Sequence, residues 1–359
     1  MEKILNVAII GQGRSGRDIH GGFFMTEAAK AHFRVAAVVE IDPQRRQRAF
    51  DTFGCDVYED YRALFDRGDI DLVVNATPSH LHYPITLDLL KHKKNVLVEK
   101  PFSKYAMECE EMIRIAQENG VMLAVFQQSR FAPHYTRTKE LIDSGVLGNI
   151  KQIHLNYSGY SRRWDWQCAQ KCYGGALLNS GPHPMDMAVD LLALDTMPQV
   201  FSLMQQVNIA GDAEDYARVI LTAPGKPLVD VEINPADKYS NYSIKVCGDR
   251  GTLCATATQV KWQYFDEKPL PELILKPLTK DDGISPAYCS EKLQWHEACE
   301  EMAGTAFDIG TAGLYADVYA HLVHGSPLKV RLEQVLQQIR IIELAHAQNP
   351  LPVRYSIEG

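Results

Sequence analysis

The chain has 359 residues, of which 46% are hydrophobic and 23% are charged, and its formal net charge is −8. This length is too great for one compact core, and the ordinary composition excludes disordered and fibrous proteins, so we expect two globular domains. The acidic balance argues against nucleic-acid binding, and no apolar run or signal-peptide pattern indicates a membrane or export, so we expect a cytoplasmic protein.

The first third of the chain alternates short apolar runs with helical patterns. Such alternation predicts βαβ units and a parallel sheet. The predicted strands are residues 4–10, 35–39, 71–76, 95–99 and 121–126, and helices are predicted at residues 83–91 and 105–118.

After about residue 130 the pattern changes to longer strands separated by turn signals, which is typical of an antiparallel sheet with an open face. Helices are predicted at residues 135–143, 311–324 and 332–347. Strands are predicted at residues 150–157, 199–207, 217–222, 228–233, 242–246, 251–255 and 260–265. We therefore predict an α/β protein with a Rossmann domain over residues 1–125. A second α/β domain with a large, mostly antiparallel open sheet is predicted over residues 126–359.

A complete G-x-G-x-x-G follows the first predicted strand and opens a helix: Gly11-Gln12-Gly13-Arg14-Ser15-Gly16. In this context the first glycine permits a tight turn, the second lets backbone approach a pyrophosphate, and the third lets helix and strand pack closely. The N–H groups at the start of the helix favour phosphate. The motif therefore predicts a dinucleotide site.

The second strand is followed by Glu40, 24 residues after Gly16 and near the ~20 expected for a ribose-binding acid. A carboxylate there accepts hydrogen bonds from the ribose hydroxyls and repels a 2′-phosphate, so we expect NAD rather than NADP. Asp42 is the competing acid, and Arg45 or Arg46 could instead turn toward a 2′-phosphate.

Lys100 stands directly after the strand predicted at residues 95–99. Ligands of open α/β sheets bind at the carboxyl ends of the strands. A lysine at this position can hydrogen-bond a substrate hydroxyl and stabilise negative charge that develops on its oxygen. The alternative is a solvated lysine at the end of a strand.

Gly181 and Pro182 are typical of a helix start, which places His183 in the first turn. The positive end of the helix dipole disfavours the imidazolium there, so we expect a neutral imidazole that can accept a hydroxyl proton. Asn179 lies four residues earlier and within plausible reach. A structural role for the histidine stays open on this pattern alone.

Aromatic and charged residues that suit a polyhydroxy ligand precede the pair Gly174-Gly175. We take Tyr160, Arg163 and Trp164 as candidate substrate-binding residues, together with Arg130 at the domain junction. Such residues are also common in cores and interfaces.

Eight cysteines occur in the chain, with no pair at CxxC spacing. We interpret them as thiols rather than a disulfide framework. Cys168 and Cys172, with His154 or His183, do not make a closed set of four ligands, so no metal site is expected.

Six motifs in order resemble the Gfo/Idh/MocA family, which includes glucose–fructose oxidoreductase and inositol dehydrogenase. They are ATPSHLH at 76–82, EKP at 99–101, RFAP at 130–133, SGVLGNI at 144–150, GGALLNSGPHPMD at 174–186 and GDRGTL at 248–253. The resemblance extends over essentially the whole chain.

The resemblance implies roles around the catalytic centre. Lys100 corresponds to the lysine that orients the substrate and supports proton movement, and it precedes Pro101, often through a cis peptide in relatives. His183 corresponds to the catalytic histidine. Asn179 stands where many members carry aspartate; it cannot hold a negative charge, but it can hydrogen-bond a sugar hydroxyl.

The resemblance also implies cofactor contacts. Thr77, Pro78 and His82 lie in the loop on the nicotinamide side of the site, and Glu99 belongs to the same cofactor-binding set. In relatives the open sheet face commonly forms the subunit interface, so a homodimer or homotetramer is expected.

We therefore expect hydride transfer between NAD and a secondary hydroxyl of a sugar, inositol or glycoside. Three alternatives remain at this stage. They are an NAD-dependent glycoside-cleaving enzyme of the same fold, a reductase of a non-sugar carbonyl or imine, and a non-catalytic nucleotide-sensing regulator. No nucleic acid or membrane partner is expected.

Overall fold

The structure is a computed structural model that describes residues 3–266, 270, 272–275 and 291–355. Six strands form the first sheet: β1 (Leu5–Ile10), β2 (Phe33–Val39), β3 (Asp56–Tyr58), β4 (Leu72–Asn75), β5 (Val96–Val98) and β6 (Leu123–Val125). All are parallel, in the order β3-β2-β1-β4-β5-β6, which confirms the predicted Rossmann sheet. Strand β3 was not predicted because it is short and has no buried residue.

Helices cover both faces of this sheet: α1 (Ser15–Gly21, continued as Gly22–Phe24), α2 (Glu27–Lys30), α3 (Pro43–Phe53), α4 (His82–Lys91) and α5 (Ala106–Asn119). Helix α3 was not predicted, since only Ala49 of its apolar residues is buried. Its cap is Asp42, whose Oδ1 accepts a hydrogen bond from the amide of Arg45 at 2.9 Å. Asp42 thus ends the turn after β2 as a helix cap.

Eight strands form the second sheet: β7 (Ile150–Asn156), β8 (Gln199–Gln205), β9 (Tyr216–Thr222), β10 (Leu228–Ile233), β11 (Ile244–Gly248), β12 (Gly251–Ala255), β13 (Gln259–Tyr264) and β14 (His296–Glu301). Their order is β14-β13-β12-β11-β7-β10-β9-β8, and each neighbouring pair is antiparallel except β7 with β10. The mostly antiparallel sheet is confirmed. The polar edge strand β14 was not predicted, since none of its residues is buried.

The helices of the second half are α6 (Pro133–Asp143), α7 (Ala176–Asn179), α8 (Pro182–Leu192), α9 (Thr311–His324, preceded by the turn Ala306–Gly310) and α10 (Leu332–Gln348). Helices α6, α8 and α10 contact the second sheet, and α10 also contacts α5 of the first half. One buried cluster runs through both sheets, from Ala8 and Val73 to Leu155 and Val246. The two halves are therefore closely joined. Single 3₁₀ turns occur at Tyr61–Leu64, Ser79–Leu81, Gln128–Phe131, Trp166–Cys168 and Gln170–Cys172.

Helix α9 returns from the C-terminal part of the chain to the first sheet. Its residues Leu314, Tyr315 and Val318 are buried in one cluster with Leu5 and Val7 of β1. The predicted division at residue 125 assigns this helix to the second domain, whereas its apolar face is covered by the first sheet. Every helix in the ranges given above is too short or too polar to cross a bilayer.

Candidate active site

The glycine-rich loop lies at the carboxyl end of β1 and leads into α1. Gly11 has φ +93°, and a Cβ there would lie 2.6 Å from the Ala76 carbonyl oxygen. A Cβ on Gly16 would lie 1.9 Å from the Gly11 oxygen, so both positions require glycine. A Cβ on Gly13 would meet nothing within 4 Å, so the backbone there is open to a ligand. This cradle fits a pyrophosphate, with the amides at the start of α1 facing it.

Glu40 lies beside this loop and is buried. One carboxylate oxygen accepts a hydrogen bond from the Gln12 amide at 2.7 Å, and the other accepts one from the Asp42 amide at 3.1 Å. Arg45 approaches the same carboxylate at 3.9 Å. Arg46 instead donates to the Glu40 main-chain oxygen at 2.6 Å. The acid is therefore held next to the predicted phosphate site, and both of its oxygens retain further lone pairs.

The loop after β4 carries the residues predicted to line the nicotinamide. Pro78 is exposed, and the Thr77 hydroxyl donates to Asn75 Oδ1 at 2.7 Å. His82 is buried instead, with Nδ1 at 2.7 Å from the Pro101 oxygen and Nε2 at 2.9 Å from the Thr77 oxygen. The structure therefore places His82 between two loops, with both of its ring nitrogens facing backbone.

Lys100 follows β5, and the peptide bond to the next residue, Pro101, is cis. Its Nζ donates to the main-chain oxygen of Asn179 at 2.8 Å, across the junction between the two halves. Burial lowers the pKa of Lys100, the Glu99 carboxylate partly opposes this, and the charge of Arg14 lowers it further.

Glu99 is buried between His20 and the main chain of Lys100. One of its carboxylate oxygens lies 3.2 Å from His20 Nε2, and the other accepts from the Lys100 amide at 3.0 Å. Burial alone would raise the pKa of Glu99, but the His20 hydrogen bond and the Lys100 charge outweigh it and lower the pKa to about 2. Both oxygens of this carboxylate have protein partners, and its predicted cofactor contact stays a prediction.

His183 lies in the first turn of α8, as the helix pattern predicted. Its Nδ1 is 3.0 Å from the Ser129 hydroxyl, and its ring stacks on that of Tyr157 with centroids 6.3 Å apart. Burial, followed by the positive charge of Lys100, lowers the pKa of His183 to about 3. The imidazole is therefore neutral, and burial is the largest cause.

Asn179 ends α7 and faces an open pocket of about 520 Å³, a volume that includes its solvent-filled mouth. Tyr157, Arg163 and Glu214 line the same pocket. Glu214 accepts from the Leu177 amide at 3.1 Å, and its buried carboxylate therefore supports the short helix that carries Asn179. Lys100 donates to the main chain of Asn179 and His183 stacks on Tyr157, and both partners line this pocket, which makes it the candidate substrate site.

The predicted substrate loop divides into two groups. Arg163 faces the pocket, where its guanidinium is held by Asp165 at 2.8 Å and by the side chain of Gln167. Tyr160 and Trp164 are 60% and 81% exposed, and their side chains are directed to solvent rather than into this pocket. The sequence pattern did not distinguish these two orientations.

Arg130 is buried in an ion-pair network rather than directed at a substrate. Its guanidinium binds both carboxylate oxygens of Asp186 at 2.6 and 2.8 Å, Asp190 at 3.3 Å and Gln334 at 2.7 Å. Four donor contacts leave little capacity for a ligand. Since Asp186 and Asp190 lie on α8, Arg130 fixes the helix that begins next to His183.

We expect Arg130→Met to destabilise the fold by about 3–5 kcal/mol, because the buried Asp186 charge loses its partner. Urea unfolding measures the change. Arg114→Met, which removes the exposed pair with Glu118, is the control and should change the free energy of unfolding little. A loss of less than about 1 kcal/mol for Arg130→Met would contradict this role for the network.

The seven cysteines in the described part of the chain are all free thiols, as predicted, and Cys289 lies outside the described residues. Cys168 and Cys172 are both buried. Among those same residues, no group of three or more His, Cys, Asp or Glu side chains is placed to hold a metal ion.

Two family models match the chain. One, described as "Oxidoreductase family, NAD-binding Rossmann fold", matches residues 5–127, and the "GFO/IDH/MocA C-terminal domain" matches residues 135–254. The chain belongs to the Gfo/Idh/MocA family. The Rossmann sheet and the mostly antiparallel second sheet described above are thus the two domains of a Gfo/Idh/MocA oxidoreductase.

Several proteins with known names are similar to this chain at modest identity. A 2,7-anhydro-N-acetylneuraminate hydratase of Mediterraneibacter gnavus is 27% identical over 70% of this chain and 67% of its own length. A scyllo-inositol 2-dehydrogenase (NADP(+)) of Bacillus subtilis is 26% identical over 60% of this chain and 59% of its own length. The WlbA dehydrogenase from Bordetella pertussis, solved with NADH and UDP-GlcNAcA, is 18% identical with a TM-score of 0.75 over 99% of both chains, and shares the fold.

Two residues of the site were not found from the sequence. Ser129 directly precedes the RFAP motif, and a hydrogen-bonding residue next to that motif was the one local signal. Glu214 lies outside every motif quoted above. It stands just before β9, and that strand of the second sheet brings it to the pocket. Its position depends on the tertiary fold alone.

Proposed function

We propose that this protein transfers a hydride between a secondary hydroxyl of a sugar, inositol or glycoside and the nicotinamide of NAD. One observation carries the proposal: Lys100 reaches across the domain junction to the main chain of Asn179, beside the neutral His183 and the pocket. A cation and a neutral imidazole next to a dinucleotide cradle are the groups that alcohol oxidation requires.

The glycine loop and Glu40 would hold the cofactor, whose nicotinamide ring supplies the hydride acceptor or donor. Lys100 binds the reacting hydroxyl and stabilises the negative charge on its oxygen as the carbon–hydrogen bond breaks. Asn179 offers its amide to a neighbouring hydroxyl and so orients the ring. Arg163 lines the same pocket, where its Nη1, which neither Asp165 nor Gln167 engages, would donate to a hydroxyl.

His183 receives the hydroxyl proton. Because Nδ1 faces Ser129, a proton on Nδ1 donated to that hydroxyl leaves the lone pair of Nε2 for the substrate. A buried imidazole with a pKa of about 3 is a weak base. It suffices here because the hydroxyl becomes strongly acidic as its carbon loses the hydride.

We expect NAD to bind more tightly than NADP by at least about tenfold, which corresponds to about 1.4 kcal/mol of binding free energy. The cause is the buried Glu40 carboxylate, which repels a 2′-phosphate where the ribose is expected. Isothermal titration with both cofactors measures the ratio. Tighter binding of NADP would show that Arg45, 3.9 Å from Glu40, determines the preference instead.

The proposal is tested by single-turnover absorbance of reduced nicotinamide. Enzyme loaded with NAD is mixed at near-stoichiometric concentration with inositols, pyranoses and aryl glycosides, so that a cofactor that never leaves is still detected. A signal from one ligand class supports dehydrogenation and names that class. Silence across the panel, with NAD shown to be bound, contradicts the proposal.

A second candidate is transient oxidation followed by bond cleavage or hydration and then reduction. The similarity to a 2,7-anhydro-N-acetylneuraminate hydratase favours it. Such an enzyme would return the hydride to the same ligand, so product would accumulate without net NADH. Product analysis by NMR on the same panel, with anhydro-sugars added, separates the two candidates.

A further inference from the structure

We propose that Tyr315, His20 and Glu99 form a positioning chain that fixes the location and the electrostatic environment of Lys100. This inference rests on the function proposed for Lys100, and it adds two residues from outside every motif quoted above. None of the three needs to touch the substrate. They act through the backbone and the charge next to Lys100.

The contacts of this positioning chain are continuous and buried. The Tyr315 hydroxyl lies 2.8 Å from His20 Nδ1, and His20 Nε2 lies 3.2 Å from a Glu99 carboxylate oxygen. The other Glu99 oxygen accepts the Lys100 amide at 3.0 Å. His20 and Tyr315 are 0% exposed and Glu99 is 4% exposed, so water does not compete for these contacts.

The carboxylate partner requires a hydrogen on one particular ring nitrogen of His20. An ionised carboxylate only accepts, so the hydrogen of His20 that faces Glu99 must lie on Nε2. Burial raises the pKa of Tyr315, so its hydroxyl keeps its hydrogen and can donate to Nδ1. Every member of the chain is then satisfied, and Glu99 remains a carboxylate.

The positioning chain joins three parts of the fold at one point. His20 lies on α1, the helix that the glycine-rich loop opens, and Glu99 follows β5. Tyr315 lies on α9, which returns to the first sheet, and its ring stacks on Phe23 with centroids 4.5 Å apart. The spacing between the phosphate-binding helix and Lys100 is thus held by the His20–Glu99 contact, and Tyr315 holds His20.

The charge of Glu99 also acts on Lys100. The charged groups that face Lys100 are the Glu99 carboxylate, which favours the ammonium form, and the guanidinium groups of Arg14 and Arg163, which oppose it. His183 faces Lys100 as a neutral ring. Glu99 is the one opposite charge in this set. If the hydrogen bonds that position its carboxylate are weakened, Lys100 should therefore lose its proton at a lower pH.

The test compares Tyr315→Phe with Tyr319→Phe. Tyr319 lies one turn later on α9, and its hydroxyl donates to the Lys3 oxygen at 2.8 Å, so its variant loses a hydrogen bond without touching the chain. We expect Tyr315→Phe to lower kcat by about 3–10-fold, the worth of one hydrogen bond, and to move the alkaline limb of the kcat profile to lower pH. Tyr319→Phe should leave kcat and the limb unchanged. Equal kinetics in the two variants overturn the proposal.

A second measurement does not depend on turnover. Nitrogen-15 NMR of histidine-labelled protein, with His20 assigned from His20→Gln, reports which ring nitrogen carries the hydrogen. We expect a hydrogen on Nε2 and an acceptor Nδ1 in the wild type, with the Nδ1 resonance shifted in Tyr315→Phe. A hydrogen on Nδ1 in the wild type overturns the chain. If the panel shows no hydride transfer but the NMR result holds, the proposed function fails and the hydrogen-bonded chain stands.

Discussion

Lys100→Met should lower kcat by about 10²–10³-fold, the usual cost of removing one group that stabilises a developing oxyanion. Methionine keeps much of the length of the side chain and removes the charge and the donor. Lys100 reaches from the end of β5 to the main chain of Asn179, at 2.8 Å, so its loss also removes a contact between the two halves beside the candidate site. Single-turnover rates with the ligand identified by the panel measure the effect.

Two controls separate chemistry from folding in this experiment. Lys91→Met removes an exposed lysine at the end of α4 and should leave the rate unchanged. NAD affinity of Lys100→Met should stay within about threefold of wild type, because the glycine loop and Glu40 are intact. A Lys100→Met enzyme that turns over at the wild-type rate would remove Lys100 from the mechanism.

His183→Gln should lower kcat by about 10²–10⁴-fold, the contribution typical of a positioned acid or base. The glutamine amide preserves polarity and approximate size but cannot accept the proton. In the wild type, the pKa of His183 is lowered to about 3 by burial and by Lys100. The imidazole is therefore already neutral above that pH, and kcat/KM should be flat between about pH 5 and 7 with no limb near the ordinary histidine value of about 6.5.

The matched control is His324→Gln, at the exposed end of α9, which should not change kcat. Thermal unfolding of both variants checks that the fold is kept. An acidic limb near pH 6.5 that disappears in His183→Gln would mean that His183 is protonated in the free enzyme, contrary to its burial. Unchanged kcat in His183→Gln would make the histidine structural.

Local sequence patterns predicted those features of the candidate site that depend on residues close together in the sequence. Gly11 and Gly16 need the absence of a Cβ, and the steric contacts that require it are made within the βαβ unit that the sequence predicts. Lys100 and His183 were placed correctly on the carboxyl end of a strand and the first turn of a helix. Hydrophobic periodicity likewise predicted both sheets.

Local sequence patterns did not predict the orientation of side chains or the contacts between residues that are far apart in the sequence. Arg130 and Trp164 are both large residues in or near a motif, yet one is buried against Asp186 and the other is 81% exposed. Whether such a residue is buried or exposed depends on whether the fold brings it a partner, and the partner of Arg130 lies 56 residues away. The hydrophobic periodicity of the sequence gives no information about such partners. The return of α9 to the first sheet, which brings Tyr315 to His20 across 295 positions, is of the same kind.

Hydride transfer between a ligand carbon and the nicotinamide can be followed with an isotope label. The most direct measurement uses a ligand of the responding class carrying deuterium on the carbinol carbon, mixed with enzyme and NAD at near-stoichiometric concentration. After a rapid quench, mass spectrometry and NMR locate the label. We predict deuterium at C4 of the reduced nicotinamide in the wild type and little or none with Lys100→Met. Conversion of the ligand with all of the deuterium still on its original carbon, and none on the cofactor in any quenched sample, would show that no hydride is transferred.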